Sequence, residues 1–371
     1  MKTSITERLG IDLPVFAFSH TRDVVAAVTN AGGFGVLGGT RFTPDELEAE
    51  LAWIDDHVGG KPYGLDIVLP GKQEGLDEDA SNLRSLIPDT HLRFVEGILQ
   101  DYHVVQDASQ YDIADWRATG TRPETADALM EVAFAHPIRM IVNALGPPSA
   151  SLVHEARSRA VLVGALAGEA KHARKSVDAG ADVIIAVGTE AGGHTGEIGT
   201  MVLTPEVLRE VAPVPVLAAG GIVTGQQIVA ALALGAAGVW TGSVWLPTAE
   251  AETTEVVRQK MIAASSSDTL RSKARTGKPA RQLRSAWHRR WDSQDDIAPL
   301  GMPLQTMLTE NAFRLISAAS DGGEPGAQEL DSYFVGQGVG LMNSRGKVAD
   351  VMLRLTEEIV EALENVARLQ E

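Results

Sequence analysis

The sequence predicts an α/β fold, a (β/α)8 barrel of the TIM type with helical insertions that form a lid, and three observations support this. Short, almost continuously apolar runs alternate with helix-like segments along most of the 371 residues, which is typical of a parallel sheet with helical crossovers. Eight such runs are present, the number of strands that closes a TIM barrel. The 37 glycines and the low aromatic content of 5% favour many tight turns over an aromatic-rich sandwich.

Each apolar run is interpreted as a buried parallel strand, because its apolar character is nearly unbroken. In chain order, the eight predicted strands span residues 14–18, 34–37, 63–69, 138–143, 160–164, 182–187, 215–219 and 238–241.

Helix signals lie between the strands. The run Thr-Pro-Asp-Glu at residues 43–46 combines an N-cap, a proline in the first turn and early acidic residues. The run Thr-Pro-Glu at residues 204–206 predicts a second helix start of the same kind. Segments 173–180 and 228–235 end in glycine, which predicts left-handed C-caps that lead into the next strand.

Two regions interrupt the alternation: a polar, acidic insertion at about residues 71–137, and residues 248–330, which include a basic stretch. We expect residues 1–247 and 331–345 to form the barrel, and residues 248–330 to form a helical lid or substrate region. Apolar residues at largely helical spacing within 346–371 predict an amphipathic C-terminal helix that packs on the barrel.

Composition limits the classes of function. The chain has 32 basic and 49 acidic residues and a formal net charge of −17, so we expect neither nucleic acid nor anionic membrane as a partner. It has no cysteine, which excludes disulfides, thiolate metal sites and a cysteine nucleophile, and any redox chemistry must come from a bound cofactor. We find no secretory pattern at the N-terminus and no membrane span, and we expect a soluble, cytoplasmic protein.

The loop that follows the sixth predicted strand is the first candidate for chemistry. Residues 188–196 read Gly-Thr-Glu-Ala-Gly-Gly-His-Thr-Gly, and a TIM barrel places such a loop at its catalytic mouth. Glycines 192 and 193 allow the backbone to approach a planar ligand. Of the two titratable groups in the loop, Glu190 and His194, the histidine is better suited to proton transfer near neutral pH. The alternative is that His194 is purely structural.

Glycines after the last two predicted strands indicate an anion site. The runs Ala-Ala-Gly-Gly-Ile at 218–222 and Thr-Gly-Ser at 241–243 offer backbone N–H groups and a helix N-terminus to a phosphate. The alternative is that these glycines only permit close packing of strand and helix. No dinucleotide fingerprint, Walker loop or His-Glu-x-x-His motif is present, so a Rossmann fold is disfavoured and no metal is expected.

Six blocks resemble the FMN-dependent nitronate monooxygenases, formerly called 2-nitropropane dioxygenases, which are related to FMN-dependent enoyl reductases. The blocks are residues 30–35, 190–196, 218–222, 235–243, 276–281 and 336–340. The resemblance covers roughly residues 10–70 and 138–345. It implies FMN as the cofactor and His194 as the catalytic base.

The resemblance also implies which residues contact FMN: Ala17, Phe18, Asp66, Glu190, Gly193, Ala219, Gly220, Gly221, Gly242, Ser243 and Gln337. Ala219 to Gly221 and Gly242 to Ser243 would hold the phosphate. Asp66 stands where the family often has asparagine, and contact with the flavin and an orientation away from it both remain open. Glu190 is equally open between a direct role and hydrogen bonding to backbone.

The reaction implied is oxidation of an alkyl nitronate, or of a nitroalkane after loss of its α-proton, with O2 as the acceptor. The expected partners are thus small molecules, and a homodimer stays open. One alternative is an NAD(P)H-dependent quinone or enoyl-thioester reductase on the same barrel. Another, from a different class, is a barrel that binds a flavin or phosphate ligand without turnover.

The basic stretch within residues 271–290 is expected to be a solvated or ion-paired surface. The alternative is that some of it contacts a phosphate-bearing substrate such as a nucleotide or an acyl-CoA. Its members are Arg271, Lys273, Arg275, Lys278, Arg281, Arg284, Arg289 and Arg290.

Overall fold

The computed structural model of the chain describes residues 1–40, 42–68, 80–114 and 123–369, with side chains from residue 83 in the third range and from residue 126 in the fourth. The parts of the acidic insertion at 71–79 and 115–122, and residue 69 of the third predicted strand, lie outside the described residues.

Eleven strands are present in the described part of the chain, and eight of them close a parallel barrel in the order β1-β2-β3-β4-β5-β6-β8-β9. All eight predicted barrel strands are confirmed, with ends that shift by up to three residues. The strands are β1 (Val15–Ser19), β2 (Phe34–Gly38), β3 (Gly64–Ile67), β4 (Met140–Asn143), β5 (Leu162–Ala167), β6 (Val183–Val187), β7 (Gly193–His194), β8 (Val216–Ala219), β9 (Gly238–Thr241), β10 (Thr269–Ser272) and β11 (Ala280–Leu283).

Helices follow the strands and cover the outside of the barrel. They are α1 (Ser4–Leu9), α2 (Arg22–Asn30), α3 (Pro44–His57), α4 (Ala80–Ser85), α5 (Asp89–Asp101), α6 (Pro123–Ala135), α7 (Ala150–Ser158), α8 (Ala170–Asp178), α9 (Thr200–Val211), α10 (Gly225–Ala233), α11 (Glu255–Ala263), α12 (Ala286–Asp292), α13 (Leu304–Asp321), α14 (Pro325–Leu330) and α15 (Val348–Arg368). None of the described helices combines the length and apolar character that crossing a bilayer requires.

Local signals explain several of these helix ends. Thr43 caps α3, and Glu46 completes a capping box by accepting the Thr43 amide hydrogen. Gly180 and Gly235 follow α8 and α10 with φ of +106° and +104°, backbone angles that strongly favour glycine. The predicted N-cap at residue 43 and the glycine ends of these two helices are therefore confirmed.

The predicted helix start at residues 204–206 is wrong. Helix α9 begins earlier, at Thr200, and Pro205 lies inside it. The carboxylate of Glu190 accepts the Thr200 amide hydrogen at 2.9 Å, which stabilises the helix N-terminus upstream of the proline. Pro205 lacks the N–H that would reach the carbonyl of Met201, and the helix tolerates this loss close to its start.

The barrel interior is apolar and is filled by alternate residues of the strands. Fully buried members include Phe16, Phe34, Met140, Val183 and Leu217, and each buried side chain of this size stabilises the fold by about 1.5–3 kcal/mol. Residues between them on the same strands point outward and pack under the helices. These packed side chains therefore fill the barrel below the C-terminal ends of the strands.

A buried histidine joins α3 to the turn before β4. His136 is bonded to Asp55 through Nδ1 at 2.7 Å and to Glu48 through Nε2 at 3.0 Å. Burial opposes a charge on this ring, but the hydrogen bonds and negative charges of Asp55 and Glu48 raise the pKa of His136. The two carboxylates thus favour the protonated form of His136 and tie it to α3.

The C-terminal helix α15 packs across α10 and α2, at the position where the sequence predicts an amphipathic helix. Its Glu358 accepts the amide hydrogen of Gly225 at the start of α10 at 2.6 Å. A Cβ at Gly225 would lie 2.5 Å from the backbone of α15, so glycine is what permits this close approach.

The described part of the acidic insertion packs on the region 248–330. Tyr111 donates a hydrogen bond to the carbonyl of Leu308 in α13, and the Ala114 amide donates to the carbonyl of Met307 at 2.8 Å. Apolar residues of α5, α12 and α13 form one shared core cluster. The region 248–330 also contains the hairpin of β10 and β11, which the sequence pattern did not predict.

Candidate active site

The loop after β6 is fixed to the rim of the barrel. The Gly188 amide donates to the carbonyl of Ala219 on β8 at 2.9 Å. Both oxygens of Glu190 are engaged by Thr200, through the amide and through the hydroxyl group at 2.8 Å. The Glu190 carboxylate is therefore bonded to a helix N-terminus, one of its two open roles, and direct contact of this residue with a cofactor stays a prediction.

The end of the same loop forms β7, which pairs antiparallel with β11. Gly193 has φ of +78°, a conformation that strongly favours glycine. Arg281, opposite Gly193, is buried and donates through Nε to the carbonyl of Thr189 at 2.9 Å. Arg271 donates to the carbonyl of Thr195 at 3.1 Å. Two arginines thus anchor the loop at both ends and place the next residue, His194.

His194 follows Gly193 on β7, and only one of its two ring nitrogens has a hydrogen-bond partner among the described residues. Nε2 lies 2.8 Å from Thr276 Oγ1, and the ring centroid lies 6.4 Å from that of Phe334. His194 is exposed as a residue. Partial desolvation of its ring, and then the positive charge of Lys278, lower the pKa of His194. A neutral imidazole near pH 7 is able to accept a proton.

Two neighbouring turns form a cradle for an anion next to this loop. Ala219 and Trp240 are register partners on β8 and β9, so the turns that follow them lie side by side. Gly220 and Gly221 have φ of +119° and +69°. In the described part of the chain, no acceptor takes the amide hydrogens of Gly221, Ile222 or Ser243.

The space around the glycines of this region differs from one position to the next. A Cβ at Gly242 would have no protein atom nearer than 3.9 Å, and one at Gly193 would have none within 4 Å. Gly193 therefore borders open space and Gly242 has room for a methyl group in ordinary contact with Phe18, whereas a Cβ at Gly192 would lie 2.9 Å from the backbone of Val335. The Ser243 hydroxyl accepts the Gly336 amide hydrogen at 2.9 Å, which leaves its own hydrogen available to an anion.

Gln337 reaches the rim through its backbone, since its amide donates to the carbonyl of Glu190 at 2.8 Å. It helps to line a cavity of about 260 Å³ together with Glu190, Thr200, Gly220 and Gly221. The structure thus brings Gln337 close to the glycine cradle.

The first strand contributes one backbone position and one side chain to the mouth. Ala17 is fully buried and its side chain packs in the outer layer, so only its backbone is presented to the barrel end. Phe18 packs with the interior residues and its ring centroid lies 6.1 Å from that of Trp240.

Asp66 lies inside the barrel near the C-terminal end of β3. Its neighbours Leu65 and Ile67 pack in the outer core, so the alternation of the strand turns Asp66 inward. The carboxyl group is 5% exposed, and burial raises its pKa to about 7. No described residue forms a hydrogen bond with this carboxyl group. Asp66 therefore points into the barrel interior, and its contact with a flavin stays a prediction.

Sequence reasoning did not single out Thr276 and Arg281 individually, although both lie in the block 276–281. It also missed His20, which directly follows β1. His20 Nδ1 lies 3.0 Å from the carbonyl oxygen of Gly38, and its ring meets Phe18 edge-on at 5.1 Å. Its position after a barrel strand is the signal that would have found it.

The basic stretch is not one continuous surface. Arg281 is buried, and the guanidinium of Arg275 lies 4.0 Å and 4.5 Å from the ring centroids of Phe313 and Phe334. Arg290 forms an ion pair with Asp101 at 2.6 Å, as expected for an ion-paired surface. Arg275 and Arg281 thus serve internal contacts, whereas Arg290 lies in a surface ion pair.

A comparison with protein families identifies one matching family. The family model described as nitronate monooxygenase matches residues 4–358. The match runs through residues 71–137, which the motif blocks left out.

Individual relatives cover nearly the whole chain. A Mycobacterium tuberculosis protein provisionally named a monooxygenase is 52% identical over 368 residues, 98% of each chain. A Staphylococcus saprophyticus protein provisionally named a nitronate monooxygenase is 27% identical over 329 residues, which is 85% of this chain and 87% of that protein.

Solved structures show the same architecture. Nitroalkane oxidase from Streptomyces ansochromogenes has a TM-score of 0.82 at 26% identity and covers 98% of this chain and 99% of its own. FabK from Thermotoga maritima has a TM-score of 0.72 at 26% identity, with coverage of 100% and 99%. The chain therefore belongs to the nitronate monooxygenase family and is an oxidoreductase.

Proposed function

We propose that this enzyme binds FMN and oxidises small nitroalkanes or their nitronates, with O2 as the electron acceptor. One observation carries the proposal: His194, with its lowered pKa, lies on the strand pair β7–β11 beside a glycine cradle with free amide donors. Membership of the family, and the likeness to a solved nitroalkane oxidase, support the same choice of substrate.

FMN suits the cradle because it carries a single phosphate and no second nucleotide. The amides of Gly221, Ile222 and Ser243, whose hydrogens no described acceptor takes, would donate to phosphate oxygens without a lysine or arginine. This allows a chain of net charge −17 to hold an anion. When bound, the flavin supplies the redox chemistry, taking two electrons from the substrate and passing them to oxygen.

In this proposal, His194 removes a proton from the substrate. A nitroalkane must lose the hydrogen on the carbon next to its nitro group before it is oxidised as a nitronate. Burial and Lys278 keep the imidazole neutral near pH 7, so it has a lone pair for this hydrogen. Because His194 is exposed, the proton can leave to solvent afterwards. A substrate supplied as the nitronate does not need this step.

Aromatic side chains shape the place where the reacting carbon would sit. Phe334 lies beside the His194 ring, and Phe18 packs with Trp240 at the mouth. The two phenylalanine rings are apolar, so they would favour a small alkyl group over a polar one. A small nitroalkane meets this requirement.

The test begins with the purified protein. Any chromophore is released and identified, and the holoenzyme is then mixed anaerobically with a small alkyl nitronate or, separately, with NADH and NADPH. The proposal predicts that the chromophore is FMN, that the nitronate bleaches it, and that it is reoxidised when O2 is admitted. Bleaching by NADH or NADPH alone would make the enzyme a reductase and would remove the nitronate assignment. If the protein takes up FMN but neither the nitronate nor NADH nor NADPH bleaches the flavin, the result would favour a barrel that binds flavin without turnover.

A further inference from the structure

A hydrogen bond connects His194 to a buried hydroxyl group of the region 248–330. Thr276 Oγ1, 2.8 Å from Nε2 of the ring, belongs to a residue that is only 7% exposed. No described residue forms a hydrogen bond with Nδ1 of the same ring. The two nitrogens of His194 therefore have different environments.

The hydrogen of the Thr276 hydroxyl has a preferred acceptor. The carbonyl oxygen of Lys278, which can only accept, lies 3.1 Å from Oγ1, and no backbone amide of the described residues donates to that oxygen. The Lys278 amide donates to Oγ1 at 3.4 Å. The hydroxyl hydrogen thus points to the Lys278 carbonyl, and Oγ1 accepts the hydrogen on Nε2 of His194.

Helix α13 holds this threonine in place from the other side. Thr309 donates its hydroxyl hydrogen to the carbonyl of Arg275 at 2.6 Å, and Thr306 donates to the carbonyl of Thr276 at 3.4 Å. Arg275 is further held between the rings of Phe313 and Phe334. A hydroxyl on such a support can select one orientation of the imidazole and one tautomer.

We propose that Thr276 is a positioning residue that fixes neutral His194 with its hydrogen on Nε2, so that Nδ1 is the nitrogen that removes the substrate's α-proton. This inference rests on the proposed function, since it names the atom that performs the proton step. The substrate's C–H bond breaks, its electron pair stays on the substrate as the nitronate anion, and an N–H bond forms at Nδ1. Nε2 keeps its hydrogen and its bond to Thr276 throughout.

The tautomer is measured directly by long-range ¹H–¹⁵N NMR on protein labelled with ¹⁵N-histidine. The His194→Asn variant identifies the His194 signals among those of the nine histidines. The inference predicts a protonated Nε2 and an unprotonated Nδ1 in the neutral ring, and loss of this preference in Thr276→Val. A proton on Nδ1 in the unaltered protein would overturn it. This measurement does not depend on the substrate.

The kinetic arm compares one substrate in two protonation states. Thr276→Val is expected to lower kcat/KM for a neutral nitroalkane by about tenfold, the effect of one hydrogen bond, and to leave that for the nitronate within about twofold. Thr276→Ser keeps the hydroxyl and should restore nitroalkane turnover. Equal losses on both substrates would mean that Thr276 is only structural. If the unaltered enzyme oxidises neither substrate, the proposed function fails, while the NMR result still decides the role of Thr276.

Discussion

Replacing Asp66 by asparagine should stabilise the protein at neutral and alkaline pH. The Asp66 carboxyl group is buried without a hydrogen-bond partner among the described residues, and burial raises its pKa to about 7 from an ordinary value of about 4. The folded protein therefore keeps this proton to higher pH than the unfolded chain does. Stability is unaffected by the group below about pH 4 and is progressively lost as the pH rises towards 7.

The difference between this pKa of about 7 and the ordinary value of about 4 corresponds to about 4 kcal/mol of folding free energy above pH 7. For a chain of 371 residues, this equals roughly 5 °C in Tm. The assay is thermal unfolding of the flavin-free protein between pH 4 and pH 8.5, with Asp56→Asn on the exposed side of α3 as the control. As the pH rises, the Tm of the unaltered protein and of the control should fall below that of Asp66→Asn. If the Tm of all three proteins changes with pH in parallel, the desolvation argument is refuted.

Three further perturbations probe the outer layer, the base and the cradle. Burial opposes the charge of His136 but its two carboxylate partners raise its pKa, so His136→Gln should lower the free energy of unfolding below neutral pH by about 1 kcal/mol, as expected for a partly exposed pair, and urea unfolding should show this loss shrink as the pH rises through the raised pKa. Lys278 lowers the pKa of His194. Lys278→Met should therefore move the acid limb of the nitroalkane pH–rate profile to higher pH, and an unmoved limb would exclude this electrostatic effect. Gly242→Ala adds a methyl group that meets no protein atom nearer than 3.9 Å. The free energy of unfolding should change by less than about 0.5 kcal/mol, while FMN affinity in an equilibrium titration should fall at least about tenfold. Unchanged affinity would mean that the phosphate does not bind at this turn.

The barrel was predictable because buried parallel strands leave a local signal. Each of the eight strands is a short apolar run next to a glycine or helix cap, and the closed order of the strands follows from their alternation with helices. The glycine cradle was also visible locally, since both of its turns follow directly on a strand.

The support of His194 was not predictable in the same way. Strand β7 has two residues, and β11 reads Ala-Arg-Gln-Leu, which gives neither an apolar run nor a clear alternation. The bond between His194 and Thr276 spans 82 positions in the chain, so its partner is set by tertiary packing. The early start of α9 has the same origin, because its capping carboxylate, Glu190, comes from a loop outside the helix.

The most direct test of the account is anaerobic reduction of the bound flavin in a stopped-flow mixer, with unaltered enzyme and His194→Asn. Each is mixed with a small primary nitroalkane and, separately, with its nitronate. The account predicts that His194→Asn slows bleaching by the neutral nitroalkane by about 10² to 10⁴, the usual contribution of a general base, and leaves bleaching by the nitronate nearly unchanged. Equal rates for the two proteins with the neutral nitroalkane would contradict the assignment of His194 as the base.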